Sequence, residues 1–330
     1  HLFSSAASDV YKRQALFQTE VNEVKWISDE KLWFIKTNRQ DSIKARYVIH
    51  ANGFLNRPKL PAMKGINDYQ GHTFHTSRWD YAYTGGNSNG NLNNLRDKKV
   101  AIIGTGATAV QCVPHLAAGA KKLYVFQRTP SSIDERNNSN TDIDWFNSQK
   151  SGWQKERKEN FEGFLTGNFT DKDLVNDGWT EIFRTILGGL IKNGPSKLVL
   201  LSWVLTAPFY KNFYRVGLRT YIRNKFMNFV TREDINKKVE IVDFQKMEKV
   251  RARADALVND PKTAESLKPY YRQLCKRPCF HDEYLQAFNN DNVELIDTDG
   301  QGVKELSAEG IIHDGKAVSY THLRAHETNV

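Results

Sequence analysis

Residues 98–129 change from the hydrophobic pattern of a strand to that of a helix and back again. Val100–Ile103 is a short apolar run with two isoleucines, which predicts a buried parallel strand. Leu123–Phe126 is a second run of the same kind. Between them, apolar residues at helical spacing end at a glycine: Val110, Val113, Leu116 and Gly119. The pattern therefore predicts a strand–helix–strand unit.

Weaker patterns flank this unit on both sides. Three strand-like runs separated by turn residues predict a β-meander: Val21–Ile27, Lys31–Thr37 and Ala45–His50. The Gly-, Asn- and Ser-rich stretch Asn87–Asn94 predicts a loop at a domain boundary. Long helical patterns occupy residues 142–237, Met247–Val258 predicts a further helix, and Tyr270–Asp297 returns to an α/β pattern.

Composition excludes several classes of protein. The 330 residues carry a formal net charge of +9, but the basic residues are scattered among acidic ones. That distribution indicates a solvated surface and no nucleic-acid partner. No apolar run reaches the roughly 20 residues that span a bilayer, so no membrane span is predicted. Three cysteines do not indicate a secreted disulfide scaffold, and we expect a cytoplasmic protein.

Two of the three cysteines lie close together, with a histidine nearby. Cys275, Cys279 and His281 would supply part of a metal site. Pro278 lies between the cysteines and no fourth ligand is evident. We therefore interpret both cysteines as buried thiols and predict no metal.

The two ends of the chain match neither neighbouring segment in pattern. Residues 1–14 lack the layout of a signal peptide, and residues 317–330 show no amphipathic period. Both ends resemble translated adaptor sequence. We therefore expect both to be foreign to the fold, and we exclude His322 and His326 from any site.

A glycine-containing turn joins the predicted strand to the predicted helix. Gly104 permits a tight turn, Gly106 lets the backbone approach a pyrophosphate, and the small Ala109 allows close helix–strand packing. The amides and dipole at the start of the helix attract phosphate. A glycine triad alone is a weak signal, but here strand, turn, helix and strand follow in order, which predicts a dinucleotide site. Its candidate residues are Gly104, Thr105, Gly106, Ala107, Thr108, Ala109 and Gln111.

The end of the second strand indicates which dinucleotide binds. An enzyme that uses NAD usually carries an acidic residue here, which binds the ribose 2′-hydroxyl. This chain has Arg128 and Thr129 instead. A guanidinium and a hydroxyl suit a 2′-phosphate, so we predict NADP as the coenzyme.

A second motif precedes this unit, with the frame aromatic-x-Gly-x-x-x-His-x-x-x-Trp-Asp. It is formed by Tyr69, Gly71, His75, Trp79 and Asp80. The frame resembles the fingerprint of the Baeyer–Villiger monooxygenases, a family of class B flavoprotein monooxygenases, with Tyr69 in place of the common phenylalanine. Such a histidine is more often a packed residue than a catalyst, and the resemblance implies a structural or linker role for His75.

The resemblance extends over roughly residues 19–316. Residues 47–65 resemble the strand and turn near the end of the first FAD segment, with Asn52 in place of the usual threonine, and Lys276–Arg277 resembles the family's Lys–Arg motif. The family's fold implies an α/β chain with two Rossmann-like domains. We expect an incomplete FAD domain and linker at residues 15–95, NADP-binding parts at 96–141 and 238–316, and a helical insertion at 142–237.

The resemblance also implies a reaction. An FAD- and NADPH-dependent monooxygenase of this family inserts one oxygen atom of O₂ into a ketone and gives an ester or lactone, and the flavin carries the oxygen chemistry. Arg277 is implied to stabilise anionic oxygen at the flavin, since a guanidinium stays cationic. Lys276, with Arg128 and Thr129, is implied to hold the 2′-phosphate.

Two alternatives stay open. A sibling flavin monooxygenase oxidises nitrogen or sulfur, a reaction that does not require the Lys276–Arg277 pair. The second alternative is a non-catalytic NADP-binding fragment. No glycine precedes Gly53, so an FAD pyrophosphate cradle is not expected in this chain. An NADPH-dependent disulfide reductase is disfavoured, since the three cysteines provide no redox pair beside a flavin.

Overall fold

The computed structural model describes residues 15–53, 62–166, 172–184, 232–319 and 322–324. The chain forms two compact units, residues 1–58 and 59–330. Strands and helices both occur, which confirms the predicted mixed α/β class. None of the described helices is both long and apolar enough to cross a membrane.

The first unit contains an antiparallel meander whose strands pair in chain order. Its strands are β1 (Val21–Ile27), β2 (Leu32–Thr37) and β3 (Ser42–Ala45). Trp26 lies opposite Trp33 in the β1–β2 ladder, and the two ring centroids are 5.3 Å apart. Such a cross-strand aromatic pair helps to fix the register of the hairpin.

The prediction of a third strand at Ala45–His50 is wrong, because β3 ends at Ala45 and residues 46–50 form no strand. The turn after β2 explains the difference. The backbone N–H of Thr37 donates to the carbonyl oxygen of Asp41 at 3.2 Å, so pairing restarts at once with Ser42. A tight turn fixes register more strongly than the apolar pattern does.

The second unit is built on a five-stranded parallel sheet. Its strands are β4 (His72–His75), β5 (Lys99–Ile103), β6 (Lys122–Gln127), β9 (Val293–Asp297) and β13 (His322–Arg324). Their order is β4-β13-β5-β6-β9, and all neighbours are parallel. The short strands β7 (Ile133–Asp134) and β8 (Cys279–Phe280) form a separate parallel pair. The strands predicted at Val100–Ile103 and Leu123–Phe126 are confirmed.

Apolar layers cover both faces of this sheet. Helix α2 (Ala107–Gly119) packs on one face through Val113 and Leu116, both 0% exposed, and the short helix α1 (Tyr81–Thr84) precedes it in the chain. Burying a leucine of this kind stabilises the fold by about 1.5–3 kcal/mol. The opposite face packs against Met63, Leu306 and Ile311. The predicted helix and its end at Gly119 are confirmed.

Between β7 and β8, all the regular secondary structure of the described residues is helical. It contains α3 (Ile143–Asn147), α4 (Trp153–Thr166), the helical residues 178–184, α5 (Arg232–Leu257) and α6 (Pro261–Ser266). Helix α5 includes most of the predicted helix Met247–Val258 and crosses the predicted domain boundary at residue 237. Residues 185–231 of the predicted helical insertion lie outside the described residues, so that insertion stays a prediction.

The buried Lys246 anchors α5. Its ammonium lies 2.5 Å from Asp134 Oδ2 of β7 and 3.0 Å from Glu181 Oε2 of the helical residues 178–184. Burial alone would lower the pKa of Lys246, but the two carboxylates outweigh it and the pKa is raised. The paired charge thus ties three elements together.

The C-terminal region differs from expectation. Strands β10 (Glu305–Leu306), β11 (Gly310–His313) and β12 (Lys316–Ser319) form an antiparallel sheet, and β13 then pairs with both β4 and β5. Residues beyond 316 were expected to take no part in the fold. Backbone ladders need no particular side chains, which explains how a segment without an amphipathic pattern can pair. Its foreign origin stays a prediction, and residues 1–14 lie outside the described residues.

Candidate functional site

The glycine turn between β5 and α2 has the geometry that its sequence predicts. Gly104 adopts φ +103°, a conformation that side-chain-bearing residues rarely adopt, and its N–H donates to the carbonyl oxygen of Phe126 at 2.9 Å. Gly106 caps α2 without any side-chain hydrogen bond. Ala109 is fully buried against the sheet. The first amides of the helix are therefore presented at the carboxyl end of the parallel strands, where nucleotides bind in this architecture.

The other candidate residues of this turn divide into two groups. Thr105 is 4% exposed, and its hydroxyl donates to the carbonyl oxygen of Thr129 at 2.8 Å, so its side chain links two loops. Ser131 adds a second link by donating to the carbonyl oxygen of Thr105 at 2.6 Å. The exposed or half-exposed group lies on the first turns of the helix: Ala107, Thr108 and Gln111.

The basic loop after β6 brings together residues that are far apart in sequence. Arg128 and Thr129 are both exposed, and Lys276, 147 residues after Thr129, donates to the Thr129 hydroxyl. Among the described residues, no carboxylate forms an ion pair with Arg128. The structure thus places a guanidinium, a hydroxyl and an ammonium at one end of the sheet.

Three side chains that sequence reasoning missed hold this loop in place. The buried Gln127 donates to Asp297 Oδ2 at 2.9 Å and to the carbonyl oxygen of Ser266 at 2.6 Å, which fixes the end of β6 just before Arg128. Tyr271 bonds to the backbone of Pro130 and Ser132. No local motif marks Gln127, Asp297 or Tyr271, because their partners are distant in sequence.

Arg277 follows Lys276 but is placed differently. It is exposed, and no carboxylate of the described residues pairs with its guanidinium. Its backbone carbonyl oxygen accepts a hydrogen bond from the Cys279 thiol, with Sγ at 3.6 Å. The charge is therefore available to a group outside the described part of the chain.

The cysteines correct one expectation. Cys279 is buried as predicted, but Cys275 is exposed, because it ends a short 3-10 turn at the surface. Burial raises the pKa of the third thiol, Cys112, to about 11. Among the described residues, no three His, Cys, Asp or Glu side chains cluster as metal ligands.

The first half of the fingerprint motif forms a compact turn. A methyl group on Gly71 would lie 2.0 Å from the hydroxyl oxygen of Tyr69, so a larger residue at position 71 would require the Tyr69 ring to move. His75 accepts a hydrogen bond from the backbone N–H of Ser77 at 3.1 Å and caps the turn that follows β4. The His75 ring therefore caps this turn.

The second half of the motif is a hydrogen-bonded aromatic cluster. Trp79 donates to the Thr84 hydroxyl at 3.0 Å. Asp80 accepts the backbone N–H of Tyr83 at 3.0 Å, and its other oxygen lies 3.0 Å from His72 Nε2. The rings of His72 and Tyr83 stack at 4.1 Å. These contacts stabilise the segment that leads to β5, which is a structural role for this half of the motif.

Comparison with known proteins extends this picture. No family model matches the chain. It is 48% identical to the Baeyer-Villiger monooxygenase ATR8 of Stachybotrys chlorohalonatus over 92% of its own length and 43% of the relative's. It superposes on the polycyclic ketone monooxygenase from Thermothelomyces thermophila with a TM-score of 0.71 at 36% identity, covering 94% of the chain and 47% of that structure.

A cofactor-bound structure supports the fold alone. The OTEMO complex with FAD and NADP superposes with a TM-score of 0.57 at 23% identity, covering 93% of the chain and 51% of that structure. The chain thus spans less than half the length of the curated relative and about half of these structures. Over the half of such proteins that it spans, the chain is similar in sequence to Baeyer–Villiger monooxygenases and in fold to a ketone monooxygenase.

Proposed function

We propose that this chain is the NADP-binding part of a monooxygenase that uses NADPH, FAD and O₂ to convert a ketone into an ester or lactone. The observation that carries the coenzyme assignment is the contact between Lys276 and Thr129 beside Arg128. Two cations and a hydroxyl with no acidic residue in the same loop favour a 2′-phosphate over a 2′-hydroxyl.

The residues of the turn fit the rest of the dinucleotide. Gly104 gives the turn its shape, and Gly106 leaves the first amides of α2 without a side-chain cap. The amides of Ala107 and Thr108, with the helix dipole, would then bind the pyrophosphate. Gln111 lies one turn further along the helix. Among the described residues this is the one strand–glycine–helix unit, so the residues present fit NADP and do not provide a second cradle for FAD.

Arg277 would serve the oxygen-transfer step. Bound FAD would supply the activation of O₂, and the permanently charged guanidinium would stabilise negative charge on the reacting oxygen. The exposure of Arg277 and the lack of a carboxylate partner among the described residues support this role. The ketone monooxygenase structure that the chain resembles favours a ketone substrate.

Coenzyme titration tests the proposal. NADPH should bind the chain more tightly than NADH by about ten- to a hundred-fold, the effect of one charge-assisted contact. The variants Arg128→Ala and Lys276→Ala should lose most of this preference. Lys262→Ala, an exposed lysine of α6, is the matched control and should keep it. Equal affinities in the parent chain would contradict the coenzyme assignment.

A further inference from the structure

Tyr271 joins the two segments that carry the proposed 2′-phosphate ligands. Its hydroxyl donates to the carbonyl oxygen of Pro130 at 3.0 Å and accepts the backbone N–H of Ser132 at 3.0 Å. Pro130 directly follows Thr129. The tyrosine hydroxyl is therefore bonded on two sides to the loop that presents the Thr129 side chain.

The ring of the same tyrosine faces the second ligand. Lys276 Nζ lies 4.9 Å from the centroid of the Tyr271 ring, within the distance at which an aromatic face attracts a cation. The same ammonium donates to the Thr129 hydroxyl. Lys276 is thus held between the ring of Tyr271 and the side chain of Thr129.

The ionisation state of Tyr271 suits both contacts. Burial raises the pKa of its phenol to about 12. The hydroxyl therefore keeps its proton at neutral pH and continues to donate to Pro130. A lysine side chain has large rotamer freedom, so fixing it before the ligand arrives lowers the entropic cost of binding.

We propose that Tyr271 is a positioning residue that sets the preference for NADPH over NADH, because it holds Thr129 and Lys276 together at the 2′-phosphate. The proposal rests on the proposed function. It predicts a selective effect: Tyr271 bonds to the loop after Thr129 and contacts Lys276, so the binding of a coenzyme without the 2′-phosphate should depend on it far less.

Two substitutions separate the contributions of the side chain. Tyr271→Phe removes the two hydroxyl bonds and keeps the ring, whereas Tyr271→Leu removes both. By calorimetric titration of the whole chain, NADPH should bind about threefold more weakly to the first variant and about tenfold more weakly to the second. NADH should bind both as it binds the parent. The pair 2′,5′-ADP and 5′-AMP should reproduce the result without the nicotinamide.

Tyr270→Phe is the matched control. Tyr270 is exposed, and its hydroxyl donates to Glu265 at 2.6 Å, away from the basic loop. This variant should keep the parental ratio of NADPH to NADH affinity.

The outcomes distinguish this proposal from the one on which it rests. A parent chain without preference for NADPH contradicts the coenzyme assignment itself. A parent with that preference and Tyr271 variants that keep it overturns the role of Tyr271. An equal loss of both coenzymes also overturns it, since that result indicates a general structural effect. If Tyr271→Leu does not fold, the ratio of NADPH to NADH affinity measured with Tyr271→Phe tests the proposal.

Discussion

At the scale of single residues, one backbone angle determines whether the turn before α2 can form. Gly104 has φ +103°, and an L-residue with a side chain pays roughly 1–2 kcal/mol for a left-handed backbone. Because the proposed phosphate contacts are backbone amides, a change of this angle should act on every dinucleotide alike. That behaviour separates Gly104 from the side chains that we propose bind the 2′-phosphate.

We expect Gly104→Ala to weaken NADPH and NADH binding to a similar extent and to lower the free energy of unfolding by about 1–2 kcal/mol. Gly152→Ala is the matched control: Gly152 has φ +90° and open space around it. It should cost similar stability and leave both affinities unchanged. Denaturant unfolding and titration of both coenzymes measure the two effects, and a loss confined to NADPH would contradict the backbone role.

Some site residues could be predicted from the sequence and others could not. The glycine turn and Arg128–Thr129 follow from a local motif, since their chemistry depends on neighbours in the chain. Gln127 and Tyr271 were missed because their partners lie far away: Gln127 bonds to Asp297, 170 residues later. A residue whose role is defined by a distant partner leaves no local pattern.

At the scale of elements, β5 and β6 were predicted to within one residue at each end, and α2 ends at the predicted Gly119. These strands and this helix alternate in the order that the hydrophobic periods dictate. The end of β3 was not predicted, because a turn determines where its pairing begins. The pairing of β13 was not predicted, because it depends on a ladder between strands that are distant in sequence. Pairing between distant strands cannot be predicted from the local sequence pattern of either strand.

The segment after β8 should make stability depend on pH. Burial lowers the pKa of His281, with smaller contributions from His115 and Arg253, although Glu283 and Asp282 oppose the shift. The neutral ring accepts the backbone N–H of Glu283 at 3.1 Å. The folded state resists protonation of this ring. As the pH falls below about 6.5, the ordinary pKa of histidine, the unfolded state therefore binds the proton first and becomes relatively more stable.

We therefore expect the free energy of unfolding to fall as the pH decreases from about 7.5 to about 5.5. His281→Gln should reduce this dependence, and the exposed His50→Gln should not. Denaturant unfolding at several pH values measures the slope. Parallel slopes for the parent and His281→Gln would contradict the assignment to this residue.

The strand β13 offers another test at this scale. Its sequence is His-Leu-Arg, and it pairs with β4 on one side and β5 on the other. Parallel strands with neighbours on both sides are usually continuous apolar runs. The sequence at this position therefore fits its place in the sheet poorly.

Replacing both polar residues of β13, as in His322→Val with Arg324→Val, should raise the thermal midpoint, since valine suits a parallel strand with neighbours on both sides better than histidine or arginine does. Lys25→Val, at an exposed position of β1, is the control and should change it little. Thermal unfolding followed by circular dichroism measures the midpoint. An unchanged midpoint in the double variant would indicate that this segment does not occupy the sheet.

At the scale of the whole molecule, the site is assembled from two stretches of chain on either side of the helical region. Residues 104–129 supply the turn and the basic loop, and residues 271–277 supply Tyr271, Lys276 and Arg277. The β7–β8 pair, in which Ile133 lies opposite Cys279, joins the two stretches directly. Lys276 and Arg277 are thereby presented together, although we assign them different tasks.

Arg277 is the residue whose task depends on the rest of the protein. The chain spans 43% of the length of its curated relative, and within the described residues the guanidinium has no carboxylate partner. In a protein extended to the length of its relatives, we expect Arg277→Ala to abolish ester formation from a ketone. Reduction of FAD by NADPH should persist, because hydride transfer does not require a cation that stabilises anionic oxygen.

The measurement is incorporation of ¹⁸O from labelled O₂ into the ester, together with the rate of NADPH-dependent flavin bleaching under anaerobic conditions. Arg277→Lys should recover part of the activity, since it restores the charge but not the planar fork of donors. Arg272→Ala removes an exposed arginine of the same segment that pairs with Glu240 and should retain ester formation. Because Lys276 and not Arg277 contacts Thr129, NADPH affinity should remain unchanged in Arg277→Ala. Ester formation that persists in Arg277→Ala, or a loss that is explained by weaker NADPH binding, would each show that the oxygen-stabilising role belongs to another residue.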